Sequence, residues 1–281
     1  ALIVLGDIPL RCTGEQIVLV HNTHLCTPNA QLIKTSNIKA FISSLLFKLN
    51  KDRVKMFVVQ TNEMQANLSK KYSIDKSKIS IIPQPVPKWI HEGKLKNPTV
   101  TKTGSSLKLF YPAANYPHKN HKLLSLLDYQ CQKVIETITI TLDQHDNSLG
   151  QNDYIKCVGQ LTPLEMLEEY NKADALLFLS TAESYGFPLI EAMYMGLPIV
   201  CPNLPYALEI CGDQALYFDP NCANSLMETI TVLQQKIING WYPDWRRQLQ
   251  NIPISWDITA TKFIDLCEDE KTNMSEAYNC K

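Results

Sequence analysis

The feature that most constrains this chain is the stretch DALLFLSTAESYGFPLIEAMYMGLPIV, residues 174–200. Ala175-Leu-Leu-Phe-Leu179 is short and apolar throughout, the pattern of a strand buried on both faces of a parallel sheet. Ser180 to Phe187 carries turn residues, and Gly186 can take a positive φ without steric cost. Pro188 suits the first turn of a helix, where its missing N–H is not needed. Leu189, Ile190, Ala192, Met193 and Met195 continue that helix until Gly196 and Pro198 stop it. A new strand begins at Pro198 to Cys201. The unit strand, turn, helix, strand commits this region to an α/β fold.

The same alternation runs along the chain. Strands are expected at residues 1–5, 17–21, 56–60, 79–82, 107–111, 134–142, 154–158 and 216–218. Helices are expected at 38–49, 62–71, 120–129, 163–171 and 224–238, the first with apolar Phe41, Ile42, Leu45, Leu46 and Leu49. Between 82 and 107 periodicity is lost in a stretch rich in Pro, Lys, Thr and Ser, which reads as a linker. Two strand–helix blocks so joined predict two Rossmann-like, doubly wound domains facing a cleft.

Composition narrows the function. At 281 residues, with 45% hydrophobic and 20% charged residues, the chain is globular and of one or two domains. A formal net charge of −1 supplies no overall field for nucleic acid or anionic lipid. No apolar run reaches membrane-spanning length, and ALIVLGDIPL lacks the basic region and cleavage site of a signal peptide. Nine cysteines, an odd number with no Cys-x-x-Cys, suit free thiols in a reducing compartment, which predicts a cytoplasmic location. His21 and His24 have a ligand-like spacing but no acid close by in sequence, so no metal site is expected there.

Ligands of open parallel sheets bind beyond the carboxyl ends of the strands. The loop in front of the 188–195 helix offers N–H groups to an anion, most often phosphate. Glu183 on the turn and Glu191 inside the helix flank that site, and a nucleotide sugar has hydroxyls on both sides of its diphosphate. Spacing alone leaves a second reading open, in which Glu183 is a solvated loop residue and Glu191 a surface or capping residue. Lys119, placed just before the expected 120–129 helix, would neutralise a diphosphate as a point charge, or be solvated. His21 ends a strand, where a hydrogen-bonded structural role competes with a catalytic one.

Taken together, ESYGFPLIE, YPAANYPHKNHKLL, GDQALYFDP and SWDITATKFIDL resemble, in this order, the retaining glycosyltransferases of family 4, which have the GT-B fold and a Glu-x7-Glu motif. VLVHN, FVVQTNEM and ISIIPQPV resemble the first domain more loosely. The resemblance implies a catalytic set of His21, Lys119 and Glu183. Glu183 would hold donor-sugar hydroxyls, Lys119 would stabilise the departing diphosphate, and His21 would lie across the cleft. Amides at Gly186, Phe187 and Leu189 would face the diphosphate, Glu191 would take the ribose hydroxyls, and the base would lie near Val158 to Leu161. It also implies no metal and no cofactor beyond a nucleotide diphosphate-sugar donor. The acceptor would be a glycan or a lipid-linked chain, with at most peripheral membrane association at the inner face and no nucleic-acid partner.

The variant Pro-Ala with Pro-His-Lys-Asn-His is similar to bacterial surface-polysaccharide mannosyl- or rhamnosyltransferases. Two departures stand out. Ala113-Ala114-Asn115 replaces the Gly-Arg that many members carry, so a second phosphate cation is missing or comes from elsewhere. The chain also opens on what matches a later strand, so the first domain is expected to be incomplete at its start. The expected division is an acceptor-side domain over 1–94, a linker over 95–106, a nucleotide-sugar domain over 107–250 and a 251–281 tail packing back on the first. The rival readings are a non-catalytic nucleotide-sugar-binding protein lacking its acceptor half, and a GT-B epimerase, which the Glu-x7-Glu context disfavours.

Overall fold

The computed structural model describes residues 1–26, 38–92, 106–127, 129–143 and 153–278. The chain divides into two compact units, residues 1–85 with 252–281, and residues 86–251.

The first unit holds a parallel four-stranded sheet in the order β1 (Leu2–Val4), β2 (Gln16–Leu19), β3 (Val54–Val59), β4 (Ile79–Ile81). The period of two along β2 sorts its side chains between two layers. Val18 and Val20 enter one layer with Phe57, Val59, Met64 and Leu68, whereas Ile17 and Leu19 meet Val58, Ile82 and Phe263 in the other. Gln16 is fully buried, and its amide pairs with both backbone groups of Leu10 at 2.8 Å, so no polar atom of that side chain is stranded.

The helices of this unit are α1 (Thr23–Cys26), α2 (Ile38–Asn50) and α3 (Asn62–Tyr72), with a long closing helix numbered α10 below. Thr61 caps α3 by accepting from the Met64 N–H at 3.2 Å, and Ser73 closes it in the left-handed region. In α2 only Phe47 is buried; the apolar stripe of this helix faces outward.

The second unit holds a parallel six-stranded sheet in the order β10-β9-β8-β5-β6-β7. Its strands are β5 (Leu107–Tyr111), β6 (Ile135–Ile140), β7 (Ile155–Cys157), β8 (Ala175–Leu177), β9 (Ile199–Pro202) and β10 (Leu216–Phe218). Its helices are α4 (Lys88–Glu92), α5 (Pro163–Lys172), α6 (Phe187–Tyr194), α7 (Pro205–Cys211), α8 (Ala223–Ile238) and α9 (Arg246–Leu249). Helix α5 starts at a full capping box, in which Thr162 and Glu165 satisfy each other's backbone N–H. Trp245 is buried, and its indole N–H donates to the Leu197 carbonyl at 2.9 Å, fixing the segment before α9.

Two expectations differ from the structure, and a third falls outside the described residues. The second unit begins at Val86 and not at 107: Val86 and Ile90 are buried, and the His91 ring stands edge-on to Tyr194 at 4.7 Å. Residues 95–105 of the expected linker lie outside the described residues. The expected helix at 120–129 is absent among the described residues. Two 3₁₀ stretches, Pro117–Lys119 and His121–Leu126, are separated by Asn120 at φ 54°. Asparagine tolerates that left-handed region, and its side-chain N–H donates to the Pro220 carbonyl at 3.1 Å, a tertiary contact that interrupts any regular helix there. After α9 the chain returns to the first unit as α10 (Trp256–Tyr278), where Phe263 is buried and the Thr259 hydroxyl donates to the Pro83 carbonyl at 3.4 Å.

Candidate active site of the second unit

The strand order of the second unit reverses between β5 and β8. Chain order runs outward through β6 and β7 on one side and through β9 and β10 on the other. Loops leaving two such strands part in opposite directions and open a crevice at their carboxyl ends, where ligands of open α/β sheets bind. The loop after β5 carries Lys119 and the loop after β8 carries Glu183, and their side chains meet there. Lys119 Nζ lies 2.5 Å from Glu183 Oε1, with both side chains largely shielded from solvent.

This pairing of residues 64 apart in sequence is built by the backbone of both loops. The His118 carbonyl accepts from the Thr181 N–H at 2.7 Å and from the hydroxyls of Thr181 and Ser180. The buried Tyr111 hydroxyl, at the end of β5, donates to the Lys119 carbonyl at 2.6 Å. Tyr206 of α7 donates to the Ser180 carbonyl from the other side. Lys119 therefore ends a 3₁₀ turn clamped by Tyr111, and does not stand at the N-terminus of an α-helix as expected. Its ammonium also lies 5.7 Å from the centre of the Phe178 ring.

Helix α6 opens from this crevice. Gly186 is its N-cap at φ 68°, and a Cβ there would fall 3.1 Å from Leu189 Cδ1, so both backbone and packing call for glycine. Gly186 and Phe187 form the opening of α6, where backbone N–H groups have no partner within the helix itself. The Leu189 N–H, also expected to face the diphosphate, donates to the Gly186 carbonyl at 2.9 Å and closes the turn.

Glu191 is no surface or capping residue. It is buried, and the Tyr170 hydroxyl of α5 donates to its Oε2 at 2.7 Å. Burial pushes its carboxyl above the ordinary range, and the Tyr170 hydrogen bond opposes that push. Tyr170 is itself pushed far up, by burial first and by the adjacent carboxylate second. The Tyr170 ring is fully buried and stands edge-on to Phe110 at 5.0 Å.

The other expected residues are placed as follows. Val158 follows β7, the sheet edge, with its N–H on the Ile140 carbonyl at 3.0 Å, and Leu161 lies half-buried ahead of α5. His21 belongs to the first unit, at the end of β2. Its exposed ring has Nδ1 3.5 Å from Asp7, whose carboxylate also accepts from the His21 and Asn22 N–H groups at 2.7 and 2.9 Å. Asp7 thus supplies the acid that the local sequence around His21 and His24 lacks. Even so, no group of three or more His, Cys, Asp or Glu residues fit to hold a metal occurs among the described residues.

Tyr170 and Tyr111 escaped the sequence reading. Each lies in an otherwise apolar or amphipathic element where a tyrosine is unremarkable, and only the fold aims its hydroxyl at the site. His121 escaped as well. It is buried behind Lys119, and burial first, then the Lys119 cation, lower its imidazole to about 4.

Residues 140–236 match the family described as "Glycosyl transferases group 1". An O-antigen chain mannosyltransferase, RfbU, of Salmonella typhimurium strain LT2 is 24% identical over 247 residues, covering 83% of this chain and 67% of the relative. O-antigen chain mannosyltransferase B of Escherichia coli is 28% identical over 114 residues, 40% of this chain and 29% of the relative. Among solved structures, sucrose-phosphate synthase from Thermosynechococcus elongatus aligns over 92% of this chain and 68% of its own, with a TM-score of 0.65 and 16% identity. WaaG, a glycosyltransferase involved in lipopolysaccharide biosynthesis, aligns over 84% and 71%, with a TM-score of 0.59 and 13% identity. TarM aligns over 90% of this chain but only 50% of its own, at a TM-score of 0.62 and 14% identity. The fold is that of GT-B glycosyltransferases. No described helix is long and apolar enough to cross a membrane.

Proposed function

We propose that this chain, whose residues 140–236 match the group 1 glycosyltransferases, moves a hexosyl group, with retention, from a nucleotide diphosphate-sugar to a glycan or lipid-linked acceptor. The observation that carries this reading is the Lys119–Glu183 pair at the strand-order reversal, beside the N-terminal amides of α6. A diphosphate lying against Gly186 and Phe187 would place its negative charge by Lys119. Charge on the leaving diphosphate grows as the glycosidic bond breaks, so a fixed cation there stabilises the transition state more than the ground state. Glu183, which holds the ammonium in place, would accept from hydroxyls of the sugar. Glu191 would take a ribose hydroxyl, with Tyr170 fixing the carboxylate. Lys119 and the α6 amides supply the positive field, so the reading requires no divalent metal.

The names of the O-antigen relatives favour mannose as the transferred sugar. A lipid-linked acceptor would put the work in the cytoplasm at the inner face of a membrane. Calorimetric titration with a panel of nucleoside diphosphates and their sugars tests the reading. Saturable binding lost in Glu191→Ala, with sugar transfer to an acceptor extract, is the expected result. Binding without transfer would leave a nucleotide-sugar-binding protein, and no binding of any donor would overturn the proposal.

A further inference from the structure

The loop that carries Lys119 is closed at its base by a histidine that packing alone does not call for. His121 is 6% exposed, and its ring lies against that of Tyr111 with the centres 5.3 Å apart. Among the described residues its Nε2 is sealed from solvent without a partner, so the ring N–H that donates to the Ala113 carbonyl belongs to Nδ1. Ala113 is fixed in turn by Thr141, just beyond β6. The Ala113 N–H donates to Thr141 Oγ1 at 2.8 Å, and the Thr141 hydroxyl donates to the Ala113 carbonyl at 3.2 Å. A leucine in place of His121 would fill the space without stranding a nitrogen. What the imidazole adds is one N–H directed back across the loop, from a ring that burial and the Lys119 cation keep neutral.

We propose that His121 is a positioning residue for the transfer reaction, clasping the base of the 113–121 loop so that the Lys119 ammonium stays where the diphosphate departs. The inference rests on the reading of Lys119 as the cation for that diphosphate. The loop has two other fastenings, the Tyr111 hydroxyl on the Lys119 carbonyl at 2.6 Å and the Thr181 N–H on the His118 carbonyl at 2.7 Å. Both lie on the near side of Asn120, which joins the two 3₁₀ turns in the left-handed region at φ 54°. His121 holds the far side, and a shift there passes through that single joint to Lys119. The same ring also packs on Tyr111, so one side chain governs the base of the loop and the residue that clamps its tip.

Steady-state kinetics of the whole chain tests it, with GDP-mannose as the probe donor, an acceptor extract, and released GDP as the readout. His121→Leu keeps the volume and loses the N–H. Its kcat should fall about tenfold or more while the KM for GDP-mannose moves less than about twofold, because a misplaced cation is felt most in the transition state. His121→Asn carries an N–H near the Nδ1 position and should bring kcat back to within about threefold of the natural value. The decisive readout is the cycle with Lys119→Ala. If His121 acts through Lys119, adding His121→Leu to Lys119→Ala leaves kcat where Lys119→Ala alone put it, whereas general damage to the fold multiplies the two losses. Thr141→Val loosens the same anchor from the β6 side without touching the buried ring. It should show the same non-additive loss, and it carries the test if His121→Leu does not fold. Normal kcat in the folded variants, losses that multiply with that of Lys119→Ala, or no rescue by His121→Asn overturns the inference alone. No GDP release by the natural protein, or unchanged kcat in Lys119→Ala, overturns the reading of the site and this inference with it.

Discussion

Tyr170→Phe isolates one atom of the candidate site. The ring is fully buried, so the substitution keeps its packing and its edge contact with Phe110 and removes only the hydroxyl that donates to Glu191 Oε2. A hydrogen bond to a charged group is worth about 1.5–3 kcal/mol, and the carboxylate left behind stays buried. In a domain of this size each kcal/mol shifts the melting temperature by about 2–4 °C, so a fall of about 3–12 °C is expected at neutral pH. Glu191→Gln supplies the control, because the amide oxygen still accepts from Tyr170 while the buried charge is gone. Burial raises the folded-state pKa of Glu191 above its ordinary 4.5. The stability it contributes is therefore present below that value and lost as pH rises through the folded pKa. At neutral pH Glu191→Gln should be at least as stable as the natural protein, and its advantage should vanish in acid. In the Gln background Tyr170→Phe should cost only a neutral hydrogen bond, about 0.5–1.5 kcal/mol. The four proteins form a double-mutant cycle read by urea and thermal unfolding across pH. Equal costs of Tyr170→Phe in both backgrounds would show that Glu191 carries no charge at neutral pH. No cost in either would refute the hydrogen bond itself.

Lys119→Ala should cut turnover about a hundredfold, the scale of losing one transition-state donor, with a smaller loss of donor affinity; near-normal kcat would assign the phosphate cation to another residue. Gly186→Ala places a side chain at φ 68° and 3.1 Å from Leu189 Cδ1, so it should cost about 1–3 kcal/mol and weaken donor binding, as thermal unfolding and calorimetry would show. His121 has a folded-state pKa lowered from 6.5 to about 4, so its contribution is present above 6.5 and lost as pH falls toward 4. Melting temperatures between those limits should fall more steeply in the natural protein than in His121→Gln, and parallel curves would remove the effect. A chelator should leave donor binding unchanged, and a loss restored by magnesium or manganese would reverse the metal-free reading.

The local rules that governed strands and helix ends worked where the signal is local. The apolar run at Ala175, the Thr162-Pro-Leu-Glu165 capping box and the Gly186-Phe-Pro turn each carry their own instruction. Glu183 and Lys119 were legible as chemistry, but their meeting depends on β5 and β8 lying side by side, and strand order is written nowhere in the spacing of residues. The broken helix at Asn120 shows the same limit from the other direction. Its neighbours have ordinary helical character, and a contact with Pro220, 100 residues away, decides the backbone. Tyr170 is the clearest case, since an amphipathic helix presents it as one more core aromatic. Its hydroxyl acquires a purpose only because Glu191, buried on the next helix, needs a donor. Helix α2 carries the lesson furthest. Its periodicity defines a stripe with no ambiguity, yet period alone cannot say which side of the helix is the protein. The small residues Ala40, Ser43 and Ser44 lie opposite the stripe, half-buried beside the fully buried Phe47, so it is their side and not the apolar stripe that faces the rest of the unit.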